Sequence, residues 1–140
     1  MKSFYSIYAD ASGCSQGKVF AYSFNLSCNG KQKLFSGICP EWVHTIYDAE
    51  IHAILKGIME IGDRSPAYVC IHSDCQQGIK AIKTGRNNPQ VKIIREILKK
   101  FDGWMIFHIL AHTNGNSISE KTHSKVDREA RSLLRKHLKQ

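Results

Sequence analysis

Apolar residues change their spacing along the chain, and each change marks an element. "SFYSIYADAS" is rich in aromatic and β-branched residues and reads as a strand. In "KVFAYSFNLSC", Val19, Ala21 and Ser23 alternate with Phe20, Tyr22 and Phe24, the period of a second strand. Asn29–Gly30 is a strong hairpin-turn dipeptide, and "KQKLFSGIC" supplies the partner strand, so the chain opens as an antiparallel meander. The period then becomes helical in "TIYDAEIHAILKGIMEI", where Ile46, Tyr47, Ile54, Leu55, Ile58 and Ile61 form a stripe that ends near Gly62. "AYVCIHSD" is a nearly continuous apolar run, the pattern of a strand buried on both faces. "CQQGIKAIKTG" predicts a short helix closed by Gly85, and "NPQVKIIREILKKF" a second one with Val91, Ile94, Ile97, Leu98 and Phe101 on its stripe. "WMIFHILAH" reads as a fifth strand and "NGNSISEKTH" as a polar loop. "SKVDREARSLLRKHLKQ" closes the chain as a helix packing Val126, Ala130, Leu133, Leu134 and Leu138. The order β-β-β-α-β-α-α-β-α predicts an α/β fold with one mixed five-stranded sheet, residues 1–140 forming one domain. Parallel strands joined through helices line up their ends along one edge, where α/β proteins place their sites.

Four acids disturb this pattern. Glu50 lies four residues after Ile46 and four before Ile54, on the face that should be buried, where an unpaired carboxylate is costly. Asp10 interrupts the first strand, Asp74 ends the "AYVCIHSD" strand, and Asp127 leans toward the packed face of the last helix. Each has an ordinary alternative: a strand-ending turn for Asp10, a helix cap for Asp74, an i,i+4 pair with Arg131 for Asp127. Taken together, four carboxylates from different elements near one buried region repel unless a cation sits among them. Oxygen-only ligands favour Mg²⁺ or Mn²⁺ over zinc. A carboxylate cluster holding two such ions about 4 Å apart is the device for in-line attack of water on a phosphodiester.

Charge points the same way. The formal net charge is +8, and it is uneven: 8 Lys/Arg against 7 Asp/Glu up to Thr84, but 12 against 5 from Gly85 onward. A basic second half suits a polyanion, nucleic acid before membrane, although a solvated face kept for solubility would have the same composition. The five cysteines are odd in number with no CxxC pair, which argues against a disulfide framework or a zinc knuckle; Cys28, Cys39 and Cys70 read as small buried hydrophobes. With no apolar run of membrane-spanning length and an acid already at position 10, the expectation is a cytoplasmic protein. His44, His52, His72, His108 and His137 show no zinc spacing, and Trp42 and Trp104 read as packing residues.

"YADASG" on the first strand, "DAEIHA" on a helix, "HSDCQQGI" after the fourth strand, "LAH" after the fifth and "VDREAR" on the last helix occur in the order of type 1 ribonuclease H, which the chain resembles over nearly its whole length. The resemblance implies strands 1–3 antiparallel, strands 1, 4 and 5 parallel, and hydrolysis of the RNA strand of an RNA–DNA hybrid. It implies Asp10, Glu50, Asp74 and Asp127 as ligands of two Mg²⁺ ions, with Mn²⁺ as substitute. It also implies that His112 assists proton transfer or product departure, with His123 as a rival because the loop before Asp127 is long. Ser12 and Gln76 match substrate-contacting positions, and Lys80, Lys83, Arg86, Lys125 and Arg128 are the candidate phosphate contacts. Three positions depart from the family: Ala11 replaces a glycine, while Ile46 and His123 each replace an asparagine. These changes touch groups that help read 2′-hydroxyls, which keeps two rivals open: a DNA nuclease or junction resolvase on the same fold, and a binding module without chemistry.

Overall fold

The computed structural model describes residues 3–14, 16, 18–62, 67–109 and 117–139. They form β1 (Ser3–Gly13), β2 (Phe20–Cys28), β3 (Lys31–Ile38), α1 (Ile46–Ile61), β4 (Ala67–Ser73), α2 (Gln76–Thr84), α3 (Pro89–Leu98), β5 (Gly103–His108) and α4 (Ile118–Leu138). The sheet runs β3-β2-β1-β4-β5, antiparallel from β1 to β3 and parallel from β1 through β4 to β5, as the pattern and the resemblance imply. Asn29 and Gly30 adopt φ of 55° and 80°, the double left-handed turn that suits the right-handed twist of a hairpin.

Alternation along β1 decides which helix covers which face. Tyr5, Ile7 and Ala9 point toward α1 and join the main core with Ile51, Ile54, Ile58, Val69, Ile71 and Ile106. Tyr8 points to the other face and packs with Val126 of α4 and with Ile109. Thr45 caps α1 by accepting from the Asp48 amide at 3.1 Å, and Gly62, at φ 68°, ends it. Gly57 lets α1 approach β1 closely, because a Cβ there would lie 2.9 Å from Ile7 Cγ2. A polar clamp fixes α3 to α1: Asn88 donates to Asp48 Oδ1 (3.1 Å), Gln90 donates to the Asp48 carbonyl (2.9 Å), and Gln90 Oε1 meets His52 Nδ1 (2.8 Å). His52 is thus a satisfied core histidine.

Several expectations need correction. Burial along β4 alternates strictly, so this strand is covered on the α1 side only; Phe4, Met105 and Phe107 are exposed on the sheet's periphery. The reason is that, among the described residues, α4 lies over β1, β2 and β3 rather than over the β4–β5 half of that face. Ile46, at the first turn of α1, is exposed rather than on the buried stripe, and so are Trp42 and Leu138. The largest correction concerns α4. The segment through His123 reads as polar loop, yet the helix begins at Ile118, capped by Ser117, which accepts from the Glu120 amide at 3.1 Å and donates to Glu120 Oε1 at 2.8 Å. This Ser-x-x-Glu capping box is the signal in the sequence that marks the start. The polar composition around it masks that signal.

Candidate active site

Register brings the first two acids together. Tyr8 pairs with His72 across the parallel β1–β4 ladder, so two residues further on Asp10 aligns with Asp74, which follows the last residue of β4. Asp74 does not cap α2. Cys75 does so, its Sγ accepting from the Gly78 amide (3.3 Å), while Ser73 Oγ accepts from the Cys75 amide (3.1 Å). With the turn held by its neighbours, the Asp74 carboxylate is left to face Asp10 and α4. Burial comes first in raising the Cys75 thiol above its usual value, which fits a structural cap and not a nucleophile.

The third and fourth acids come from opposite helices. Glu50 on α1 is only 7% exposed and its Oε2 has no hydrogen-bond partner among the described residues. Asp127 on α4 pairs with Arg131 at 3.3 Å, the i,i+4 contact that its spacing suggests, and still acts on the Asp10 carboxyl. The helix is tied down next to Asp10: Ser23, the cross-strand partner of Asp10, donates its hydroxyl to the Val126 carbonyl, and Tyr8 Oη meets Ser119 Oγ at 2.7 Å. Nothing in the sequence singles out Ser23. Its importance depends on which carbonyl it finds across the sheet, and no local pattern encodes that.

One further residue enters the cluster. His123, one helical turn before Asp127, is 5% exposed, and its Nε2 lies 3.3 Å from Asp74 Oδ2 and 3.9 Å from Asp10 Oδ2. Because α4 starts earlier than expected, this histidine is a fixed part of the site and not a loop residue. His112 lies outside the described residues.

Electrostatics reflect the crowding. Asp10, 3% exposed, has its carboxyl raised from 3.8 to about 7, first by burial, then by the charge of Asp74 and by Asp127. Glu50 is raised well above its usual value by burial first, then by Asp10 and Asp74. For His123, burial opposes the charged form, but its hydrogen bond to Asp74 and the charges of Asp10, Asp74 and Asp127 together raise it above 6.5. A buried, unpartnered carboxylate oxygen and mutually repelling acids are what a cation site presents before its ion is bound, so these residues fit a divalent metal.

The remaining candidates lie on β1, on α2 and the turn after it, and on α4. Ser12 is half-buried two residues beyond Asp10, and Gln76 is exposed at the start of α2. Lys80 and Lys83 are exposed on α2, with Arg86 just after its left-handed Gly85 cap. Lys125 and Arg128 are on α4 on either side of Asp127. Among the described residues, none of them forms an ion pair with the carboxylates of the cluster.

No protein-family model matches the sequence, and no curated protein does so. Solved structures do match the fold. RNase H1 from the halophilic archaeon Halobacterium salinarum NRC-1 superposes with a TM-score of 0.66 at 18% identity, covering 92% of this chain and 98% of that one. The mixed sheet with its flanking helices is therefore the RNase H fold.

Proposed function

We propose that the chain is a divalent-metal-dependent endonuclease that hydrolyses the RNA strand of RNA–DNA hybrids. The observation that supports this reading is the close approach of Asp10 and Asp74 in an RNase H fold, with Asp127 and Glu50 acting on the Asp10 carboxyl and Glu50 Oε2 buried and unpartnered among the described residues. Asp10, Glu50, Asp74 and Asp127 would hold the ions, and each of the other three acids acts on the Asp10 carboxyl. Two Mg²⁺ ions, or Mn²⁺ in their place, supply an attacking water of lowered pKa and positive charge for the leaving oxygen. The protein does the rest. Arg131 steadies Asp127 at the rim, and the Ser23–Val126 hydrogen bond keeps α4 against β2 so that the acid stays beside Asp10. Ser12 and Gln76 contact the scissile strand, and His112 assists proton transfer or product departure. Lys80, Lys83, Arg86, Lys125 and Arg128 contact phosphates on either side.

Ile46 supports a second reading. It is exposed and apolar at the start of α1, where the resemblance places an asparagine, and offers no hydrogen bond to a 2′-hydroxyl. A nuclease acting on DNA or on branched junctions would lose nothing by that change. The test is cleavage of matched hybrid, duplex RNA, duplex DNA and branched DNA with Mg²⁺ and with Mn²⁺. The hybrid should be cut fastest, and Asp10→Asn or Asp74→Asn should abolish cutting while preserving or tightening binding, since less negative charge then faces the phosphates. Full activity in either variant would sink the metal mechanism, and preference for branched DNA would favour the second reading.

A further inference from the structure

His123 occupies an unusual place for a buried imidazole. It projects from α4 into a group of carboxylates, Nε2 toward Asp74 and Asp10, while Nδ1 has no partner among the described residues. Nε2 and one oxygen from each aspartate all lie within 4.8 Å of one another. Around a six-coordinate ion with bonds of about 2.1 Å, adjacent ligands are about 3.0 Å apart and opposite ones about 4.2 Å. The observed 3.3 and 3.9 Å from Nε2 fall between those limits, so Nε2 is placed to share an ion with either aspartate.

The ring also has nowhere else to go. At 5% exposure it cannot swing into solvent, and α4 is held on both sides of it, by Ser119 to Tyr8 and by Val126 to Ser23. A cation seated between these Asp10 and Asp74 oxygens would have Nε2 as a neighbour. Glu50 Oε2 is buried and unpartnered among the described residues, and Asp10 and Asp74 both act on the Glu50 carboxyl.

We propose that His123 Nε2 is a direct ligand of the cation held by Asp10 and Asp74, which makes that position a mixed oxygen–nitrogen site selective for Mn²⁺ over Mg²⁺. The inference rests on the proposed function only in requiring a cation at the carboxylate cluster. In the bound form Nε2 gives its lone pair to the ion and the ring keeps its proton on Nδ1. Imidazole nitrogen adds little for Mg²⁺, which takes oxygen ligands and sheds water reluctantly, but it strengthens binding of first-row transition ions. The position on α4 that would otherwise offer an oxygen or an amide thus biases the site toward a softer ion.

The experiment is pulsed electron paramagnetic resonance of Mn²⁺ bound to the full chain labelled with ¹⁵N-histidine, with Mg²⁺ competition measured alongside. The wild type should show ¹⁵N hyperfine coupling, and His123→Asn and His123→Gln should lose it. The Mn²⁺-over-Mg²⁺ affinity ratio should fall about 10- to 100-fold in those variants, the scale on which metal sites respond to losing a supporting group. Two variants of different length guard against misfolding, and the wild-type spectrum is decisive without either. Mn²⁺ binding that needs Asp10 and Asp74 but shows no nitrogen coupling overturns the histidine ligand and leaves the carboxylate site standing. Binding unaffected by Asp10→Asn and Asp74→Asn overturns both.

Discussion

At the scale of single residues, the acids of the site work against the fold when no metal is present. Asp10 keeps its proton up to about pH 7 in the folded chain, against an ordinary value of 3.8, and Glu50 is shifted in the same direction. Between those limits the folded state holds protons that the unfolded state has released, so stability falls as pH rises. His123 adds to the trend. Its value is raised, so what it contributes is complete below 6.5 and is lost as pH climbs through the higher folded value. Metal-free protein should therefore melt at progressively lower temperature from about pH 5 to about pH 8, with a loss on the order of a few kcal/mol. Saturating Mn²⁺ should restore most of it at the upper end, since a ligand that binds only the folded state stabilises it. Thermal melts in chelator across that range check this, and a melting temperature that rises with pH would contradict it.

At the scale of elements, the separation between α1 and β1 is set by Gly57. A methyl group there would meet Ile7 Cγ2 at 2.9 Å, and Ile7 is fully buried and branched, so it cannot turn aside. Alanine gains about 1 kcal/mol over glycine in a helix interior, but overpacking a core costs about 1–3 kcal/mol. The second effect is larger. Gly57→Ala should lower stability by about 1 kcal/mol in denaturant titration. Its cleavage rate should fall further than stability alone explains, because Glu50 rides on the same helix and moves away from Asp10. A stabilised Gly57→Ala with normal activity would show that α1 has room to spare. On the other face, buried Val126, Ala130 and Leu134 of α4 are joined by polar contacts that include Tyr8 to Ser119, Ser23 to Val126, and Ser36 to Glu129 at 2.9 Å.

Charge belongs to the whole molecule. The excess of Lys and Arg from Gly85 onward is carried by the turn after α2, by α3 and the turn that follows it, and by α4, with Lys80 and Lys83 of α2 adding to it. Some of it is already engaged: Arg131 holds Asp127, Lys99 pairs with Glu96 at 2.9 Å, and Arg95 donates to the carbonyls of Ile82 and Lys83 where α2 meets α3. Lys80, Lys83 and Arg86 are exposed nearby and are the better candidates for phosphate. Removing one cation that neutralises a phosphate should flatten the dependence of log affinity on log salt by about 0.9 for a duplex. Replacing all three with Gln should reduce the slope by about two to three in a salt titration of hybrid binding in Ca²⁺. An unchanged slope would mean that the substrate runs elsewhere and that this basic surface serves solubility.

The order of elements was written in the sequence because it depends on local periods: alternation in "FAYSFNLS", the 3.6-residue stripe around Ile54, the Asn29–Gly30 turn. The four acids were visible for a related reason, since a carboxylate on an apolar stripe conflicts with its neighbours, as Glu50 does among Ile46, Ile54 and Ile58. What neighbours in the chain do not determine was left to the tertiary structure. The open face of β4 depends on where α4 comes to rest, so "AYVCIHSD" reads as buried on both sides although Tyr68, Cys70 and His72 are only half covered. His123 differs little from any polar loop residue until the Ser117 cap starts α4 early and the sheet aligns Asp10 with Asp74. Ser23 gains its role only when the Val126 carbonyl arrives 103 positions later in the chain. Helices and strands follow from the spacing of side chains along one segment, whereas a site is a matter of distances between segments, and those are set only when the core packs.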